Sequence, residues 1–262
     1  MSDWLLFDPM FRTAFLTGLS LAVTLSLIGA WLRMRDEWLA AFGLAQIAAA
    51  GGILSLPLGL PVLVTATVAA GTAALVRELI PHPDNSHYAL MILIGWSAAL
   101  VFAGNVPHGN VIGESLLRGQ LYFSHPGHLV SAFGLIGVLV ACLPWLQPHL
   151  LRERFFPDWY SANRIRAWPH RLLFGTLVVF AAVLGTVAMG AFPAFAMFFV
   201  PAWVAFALVR GWTAALCLSV ALGVVAYVTA FIVAIVLDQP FGPTLVLLLA
   251  IMAGLRFLPR RN

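Results

Sequence analysis

Lysine is absent from this 262-residue chain, and only 9% of its residues are charged. A soluble domain carries roughly 25% charged residues, so water is excluded as the main solvent for this sequence. Cysteine is nearly missing too. Cys142 and Cys217 both lie in apolar runs, which excludes a stabilising disulfide framework. Signatures of chemistry are also lacking: there is no GxxxxGK[ST] phosphate loop, no HExxH helix and no GxSxG elbow. No histidine falls in the middle of an apolar run, which argues against buried axial ligands for haem. No nucleophile faces an obvious base, as an intramembrane hydrolase would require. The chain is therefore expected to be no enzyme, with no catalytic residue and no resident cofactor. The opening stretch MSDWLLFDPMF carries Asp3 and Asp8 and no basic region, unlike a cleaved signal peptide.

What is present is apolar length. The chain is 62% hydrophobic, with a mean hydropathy of +0.98. A membrane helix needs about 20 mostly apolar residues, and nine such stretches can be cut near 13–32, 37–58, 61–80, 87–104, 129–147, 171–191, 193–211, 213–237 and 241–258. The cuts are placed at Pro57 and Pro61, Pro81 and Pro83, Pro107, Pro126, Pro148, Pro193 and Pro240, because proline lacks the N–H that a helix interior uses. The expected fold is an all-α polytopic transmembrane bundle of about nine spans, forming one transmembrane domain over residues 1–262.

The arginines orient it. Arg33, Arg35, Arg77, Arg152, Arg154, Arg164, Arg166, Arg171, Arg210, Arg256, Arg260 and Arg261 fall in loops on one side, and only Arg12 and Arg118 on the other. Short Arg-rich loops stay in the cytoplasm, which predicts an outside N-terminus and an inside C-terminus. This one-sided bias accounts for the net charge of +4, so no nucleic-acid partner is expected.

Four places carry candidate function. In the second span Ala41, Ala45 and Ala49 repeat every four residues, as do Ala48 and Gly52. Such a small face suits either tight packing within the subunit or a pore or dimer surface. The same span holds Gln46, an interhelical hydrogen-bonding group or a ligand contact. The inner segment 149–174 combines five arginines with Phe155, Phe156, Trp159, Tyr160 and Trp168; it reads as an interfacial helix or as a docking surface. The outer segment 105–129 holds His108, Glu114, His125 and His128, residue types that bind divalent cations, although their spacing matches no compact ligand motif. Which residues would hold a metal is therefore unknown. Asp238 ends a span beside the final hairpin, where it could cap the last helix or meet cargo.

The order of segments resembles the permease subunits of ABC importers for divalent metal cations, the zinc and manganese type. The resemblance rests on AWLRMRDEWLAAFGLAQ, FFPDWYSANRIRAWPHRLLF, GTVAMGAFPAFAMFFVPAWVAFALVRG and VLDQPFGPTLVLLLAIMAGL, in that order, and covers nearly the whole chain. It implies a homodimer in a bacterial-type plasma membrane, working with a cytoplasmic ATP-binding subunit and an extracytoplasmic metal-binding protein. It also implies that a cytoplasmic segment near 150–170 contains the coupling element, formed by Phe156, Pro157, Asp158, Trp159, Tyr160, Ser161 and Ala162. Setting Gly51 on the family's glycine places Phe42 where the family has Asp and Gln46 where it has His, the residues expected to hold the cation. Phe42, Gln46 and Asp238 are thus the transport-path candidates. The departure leaves open a non-metal or metal-chelate cargo, or an accessory membrane protein that transports nothing itself.

Overall fold

A computed structural model describes residues 9–80, 84–119, 121–123, 125–156 and 158–257. Those residues form helices joined by short turns, with no strand among them. In chain order the helices are α1 (Pro9–Met34), α2 (Trp38–Ile53), α3 (Ser55–Leu58), α4 (Val62–Glu78), α5 (Asn85–Asn105), α6 (Gly109–Arg118), α7 (Pro126–Phe155), α8 (Trp159–Ala162), α9 (Trp168–Met189), α10 (Ala191–Leu208), α11 (Trp212–Val236) and α12 (Phe241–Ala253). Among the described residues, α1, α5, α7, α9, α10 and α11 are each long and apolar enough to cross a membrane alone. The shorter α2, α4 and α12 occupy the remaining apolar stretches, with 16, 17 and 13 residues.

Several boundaries differ from the proline-based cuts, and each has a physical cause. Pro148 does not end a helix: α7 runs through Pro144 and Pro148 to Phe155. A proline removes one backbone bond, whereas opening the whole turn in a lipid phase would strand several polar groups. The break expected at Pro193 falls at Gly190, whose φ of 96° no ordinary side chain adopts easily. Pro193 instead sits in the first turn of α10, where N–H groups have no intrahelical partner to lose. The span expected over 37–58 is split, since α2 ends at Ile53 and α3 forms a separate turn closed by Gly59. The outer segment contains a ten-residue amphipathic helix, α6, rather than only loop.

Two helices organise the packing. α1 lies against α7, α9, α10 and α11. Three of its buried hydroxyls donate within the helix: Thr17 to Thr13 O at 2.8 Å, Ser20 to Leu16 O at 2.9 Å and Thr24 to Ser20 O at 2.8 Å. Such back-bonding lets a polar side chain sit in an apolar core without an external partner. α2 is enclosed by α4, α5, α9 and α10, and Ala41, Ala45, Ala48, Ala49 and Gly52 are all buried in that contact. Its small face therefore serves packing within the subunit. The approach is close at α5, where a Cβ on Gly95 would stand 2.7 Å from the backbone of Gln46 and Ile47.

Candidate functional site

Of the transport-path candidates on α2, Phe42 sits where that helix meets α10. Phe42 stacks on Phe195 with ring centroids 4.4 Å apart and leans on Phe192 at 5.5 Å. One turn earlier, Trp38 packs against Phe199 at 4.7 Å and Phe195 at 6.4 Å. Phe199 continues the row to Trp203 at 5.8 Å, and the Arg256 guanidinium lies 3.9 Å over the Trp203 ring. The rings form a ladder because residues three and four apart share one face of a helix. Phe42 thus belongs to an aromatic seam of partly exposed side chains, with no oxygen or nitrogen to offer an ion.

Gln46, one turn further along α2, is 1% exposed. Neither its Oε1 nor its Nε2 has a hydrogen-bond partner. The interhelical hydrogen bond open to it on paper is not formed. Nearby, the buried Thr186 hydroxyl of α9 makes a long 3.5 Å contact to Ala45 O. A buried amide left unpaired costs roughly 1–3 kcal/mol, which makes this carboxamide the one conspicuous polar debt of the second span.

Asp238 lies at the opposite end of the bundle from the arginine cluster described below. It adopts the left-handed conformation, with φ of 50°, and Gln239 N–H bonds back to Ala234 O at 2.9 Å. This is the Schellman closure of α11. The last helix has Pro240 at its N-cap and no side-chain cap bond, so Asp238 ends α11 rather than capping α12. Burial first, and the Asp238 carboxylate second, hold the nearby Tyr122 phenol above its usual range.

The four outer candidates are not gathered. His108 is the N-cap of α6, Glu114 pairs with Arg118 at 3.3 Å, and the His125 and His128 rings lie 6.0 Å apart at the start of α7. Among the described residues, no group of three or more His, Cys, Asp or Glu side chains could hold a metal ion.

The densest polar structure joins the α1–α2 turn to α4, α5, α7 and α9. Glu153, in the last turn of α7, accepts from Arg35 at 2.9 Å and faces His170 Nε2 at 3.2 Å with the same oxygen; its other oxygen pairs with Arg171. Arg35 also grips Glu37 in a two-point contact of 3.2 and 3.3 Å. Arg77 of α4 meets Glu37 at 2.9 Å and donates to the Tyr88 hydroxyl of α5 at 2.9 Å. Burial works against the Arg35 charge, but Glu37 and Glu153 outweigh it and raise its pKa. Neither glutamate stands out in the sequence. The available signal is that each falls beside an arginine in a loop on the same predicted side.

The expected coupling segment hangs on this network. Phe155 and Phe156 are exposed, and α8 is a single turn whose Tyr160 ring stacks on His170 at 4.9 Å. Arg152 lies 5.1 Å over the Trp159 ring. Asp158 and Ala162 are joined by a backbone bond of 2.8 Å. Pro157 lies outside the described residues, and Ser161 falls within α8.

A model of the ABC 3 transport family matches residues 7–258. The chain belongs to the ABC 3 transport family. It is therefore an integral protein of the bacterial plasma membrane and a transport component rather than a catalytic enzyme. The family implies a separate ATPase subunit and a substrate-binding partner. The fold is similar to that of PsaBC from Streptococcus pneumoniae, solved with a Fab, at a TM-score of 0.85 and 17% identity over 98% of this chain and 94% of that one. An inward-facing ABC transporter assigned to the metal-chelate type matches at a TM-score of 0.74 and 16% identity, over 97% and 90%. No curated protein is similar enough in sequence to match.

Proposed function

We propose that this chain is the permease of an ATP-driven importer that carries a divalent metal cation, zinc before manganese. In this reading it works as a homodimer of nine-span subunits, with the arginine-rich end in the cytoplasm and an extracytoplasmic metal-binding protein at the other end. Phe156–Ala162 is the element that docks on the ATPase. The observation that carries the reading is the family match across nearly the whole chain. Gln46 then serves as a weak polar waypoint that releases its ion readily, and Asp238, His108, Glu114, His125 and His128 line the outer approach.

A second reading, a metal-chelate or other non-metal cargo, is favoured by one observation. The seam at Phe42 presents stacked rings, and a bare divalent ion prefers carboxylate and imidazole ligands. Uptake of radioactive zinc and manganese, free and chelated, in proteoliposomes with the cognate ATPase and binding protein separates the two. Free-ion uptake that falls in Gln46→Ala, in Asp238→Asn and in the His108, His125 and His128 alanine variant supports the first reading. Uptake only of chelate supports the second, and normal transport by all three variants removes these residues from the path.

A further inference from the structure

We propose that Glu153 is the positioning residue that passes movement of the coupling element to the transport helix α2. The inference rests on the reading of Phe156–Ala162 as the ATPase-docking element. It adds the route by which a push there would reach the path candidates Phe42 and Gln46.

The route is a set of contacts between different elements. The Tyr160 ring of α8 stacks on His170 at 4.9 Å and 30°, and the Tyr160 hydroxyl donates to His149 O of α7 at 3.3 Å. Tyr160 and His170 are both buried, so α8 cannot shift without moving the first turn of α9 or the last turns of α7. His170 faces Glu153 at 3.2 Å through the same oxygen that accepts from Arg35 at 2.9 Å. One carboxylate oxygen is thus divided between a group that follows the coupling element and a group in the α1–α2 turn. Arg35 in turn holds Glu37, the residue immediately before α2. Phe42 lies five residues further on, about 7–8 Å along the helix at 1.5 Å per residue.

This arrangement has two discrete states available to it. If α9 tips toward Glu153, His170 and Arg171 draw the carboxylate away and Arg35 keeps only Glu37. If α9 withdraws, Glu153 clamps Arg35 and fixes the head of α2. Paired charges that repartition between partners are discrete rather than continuously deformable, and this is how small local shifts become rigid-body movements. The competing interpretation is a static staple that merely holds α7 to the α1–α2 turn. Arg154 and Asp36 already supply such a staple between the same two elements, at 2.8 Å. This exposed pair is separate from the Glu153–His170 contact, which makes it the natural control.

The test uses the full chain assembled with its ATPase and binding protein in proteoliposomes, and measures cargo moved per ATP hydrolysed. Glu153→Gln keeps the size and one acceptor but releases Arg35. The expected result is that the ATPase stays bound, its KM for ATP is unchanged, and the transport-to-hydrolysis ratio falls about tenfold, within the usual range of coupling between sites. His170→Phe keeps a ring for Tyr160 to stack on and removes the nitrogen facing Glu153. It covers the case in which Glu153→Gln folds poorly, and it should lower the same ratio. Arg154→Gln should leave the ratio as in the parent. An unchanged ratio in both Glu153→Gln and His170→Phe, or an equal loss in Arg154→Gln, overturns the proposal. Full ATPase binding after Asp158→Ala with Trp159→Ala overturns the docking reading itself, and the route with it. The two failures differ in what is measured, one being the coupling ratio and the other the amount of ATPase retained.

Discussion

Two polar regions lie within a few turns of each other along α2 and follow opposite rules. Before the helix, Glu37 shares Arg35 and Arg77, and every oxygen of Glu153 meets a cation or His170. Inside the helix, the Gln46 carboxamide is more deeply buried than any of them and has no partner at all. Charge can be concentrated at the bundle's end because each ion is desolvated against several opposite charges. Deeper in, a single neutral amide is tolerated where a carboxylate and imidazole would be expected by the family resemblance. The contrast sets a fully paired, charged end against an unpaired, neutral middle.

The comparison can be broken most forcefully at the end region. Arg35→Met removes the guanidinium from between two half-buried carboxylates, and breaking a buried pair on one side costs about 3–5 kcal/mol. Thermal unfolding in detergent should show the largest loss of any change considered, and a loss under 1 kcal/mol would mean the network is loosely solvated. The middle of α2 is broken next by Gly95→Val, since an added Cβ would stand 2.7 Å from the α2 backbone. Overpacking of this kind costs roughly 1–3 kcal/mol, read as lower yield of folded protein and a lower melting midpoint.

Gln46→Leu sharpens the comparison, because the expected sign is reversed. Removing an unpaired buried amide should raise stability by about 1–2 kcal/mol while transport falls. Stability and transport that both remain at the parent level would show that ordered water already satisfies the amide. Asp238→Gly relieves a left-handed non-glycine residue and should stabilise by about 1 kcal/mol. If uptake is retained at the same time, Asp238 is a turn residue and not a cargo contact. The smallest effect is expected for Arg154→Gln, whose exposed pair with Asp36 is worth about 0–1 kcal/mol.

The helical class and the approximate position of each long helix were legible because apolar length and arginine placement are local properties. The errors fell where two local rules competed. Proline was read as a terminator at 148, but the cost of opening a helix exceeded the cost of one missing bond. At 193 the terminator was Gly190, three residues earlier. The aromatic seam is half visible: Phe42 stands out in the sequence, yet its partners Phe192 and Phe195 lie far along the chain, and nothing local announces the pairing. Glu37 and Glu153 were missed for the same reason, since an ion pair between distant segments leaves no periodic trace. The outer histidines show the converse: His108 begins α6, whereas His125 and His128 sit together at the start of α7.

One feature of the opposite end constrains how this molecule can deform. The turn after α6, the α9–α10 turn and the first turn of α12 meet backbone to backbone: a Cβ on Gly119 would lie 1.6 Å from Met189 O, one on Gly190 2.4 Å from Gly119 N, and one on Gly242 2.0 Å from Arg118 O. Three chain segments with no side chain between them behave as a fulcrum. They can pivot about the shared point, but sliding past one another would drive main-chain atoms into contact. Relative movement of α9, α10 and α12 is therefore confined to pivoting about this shared backbone contact rather than sliding across it.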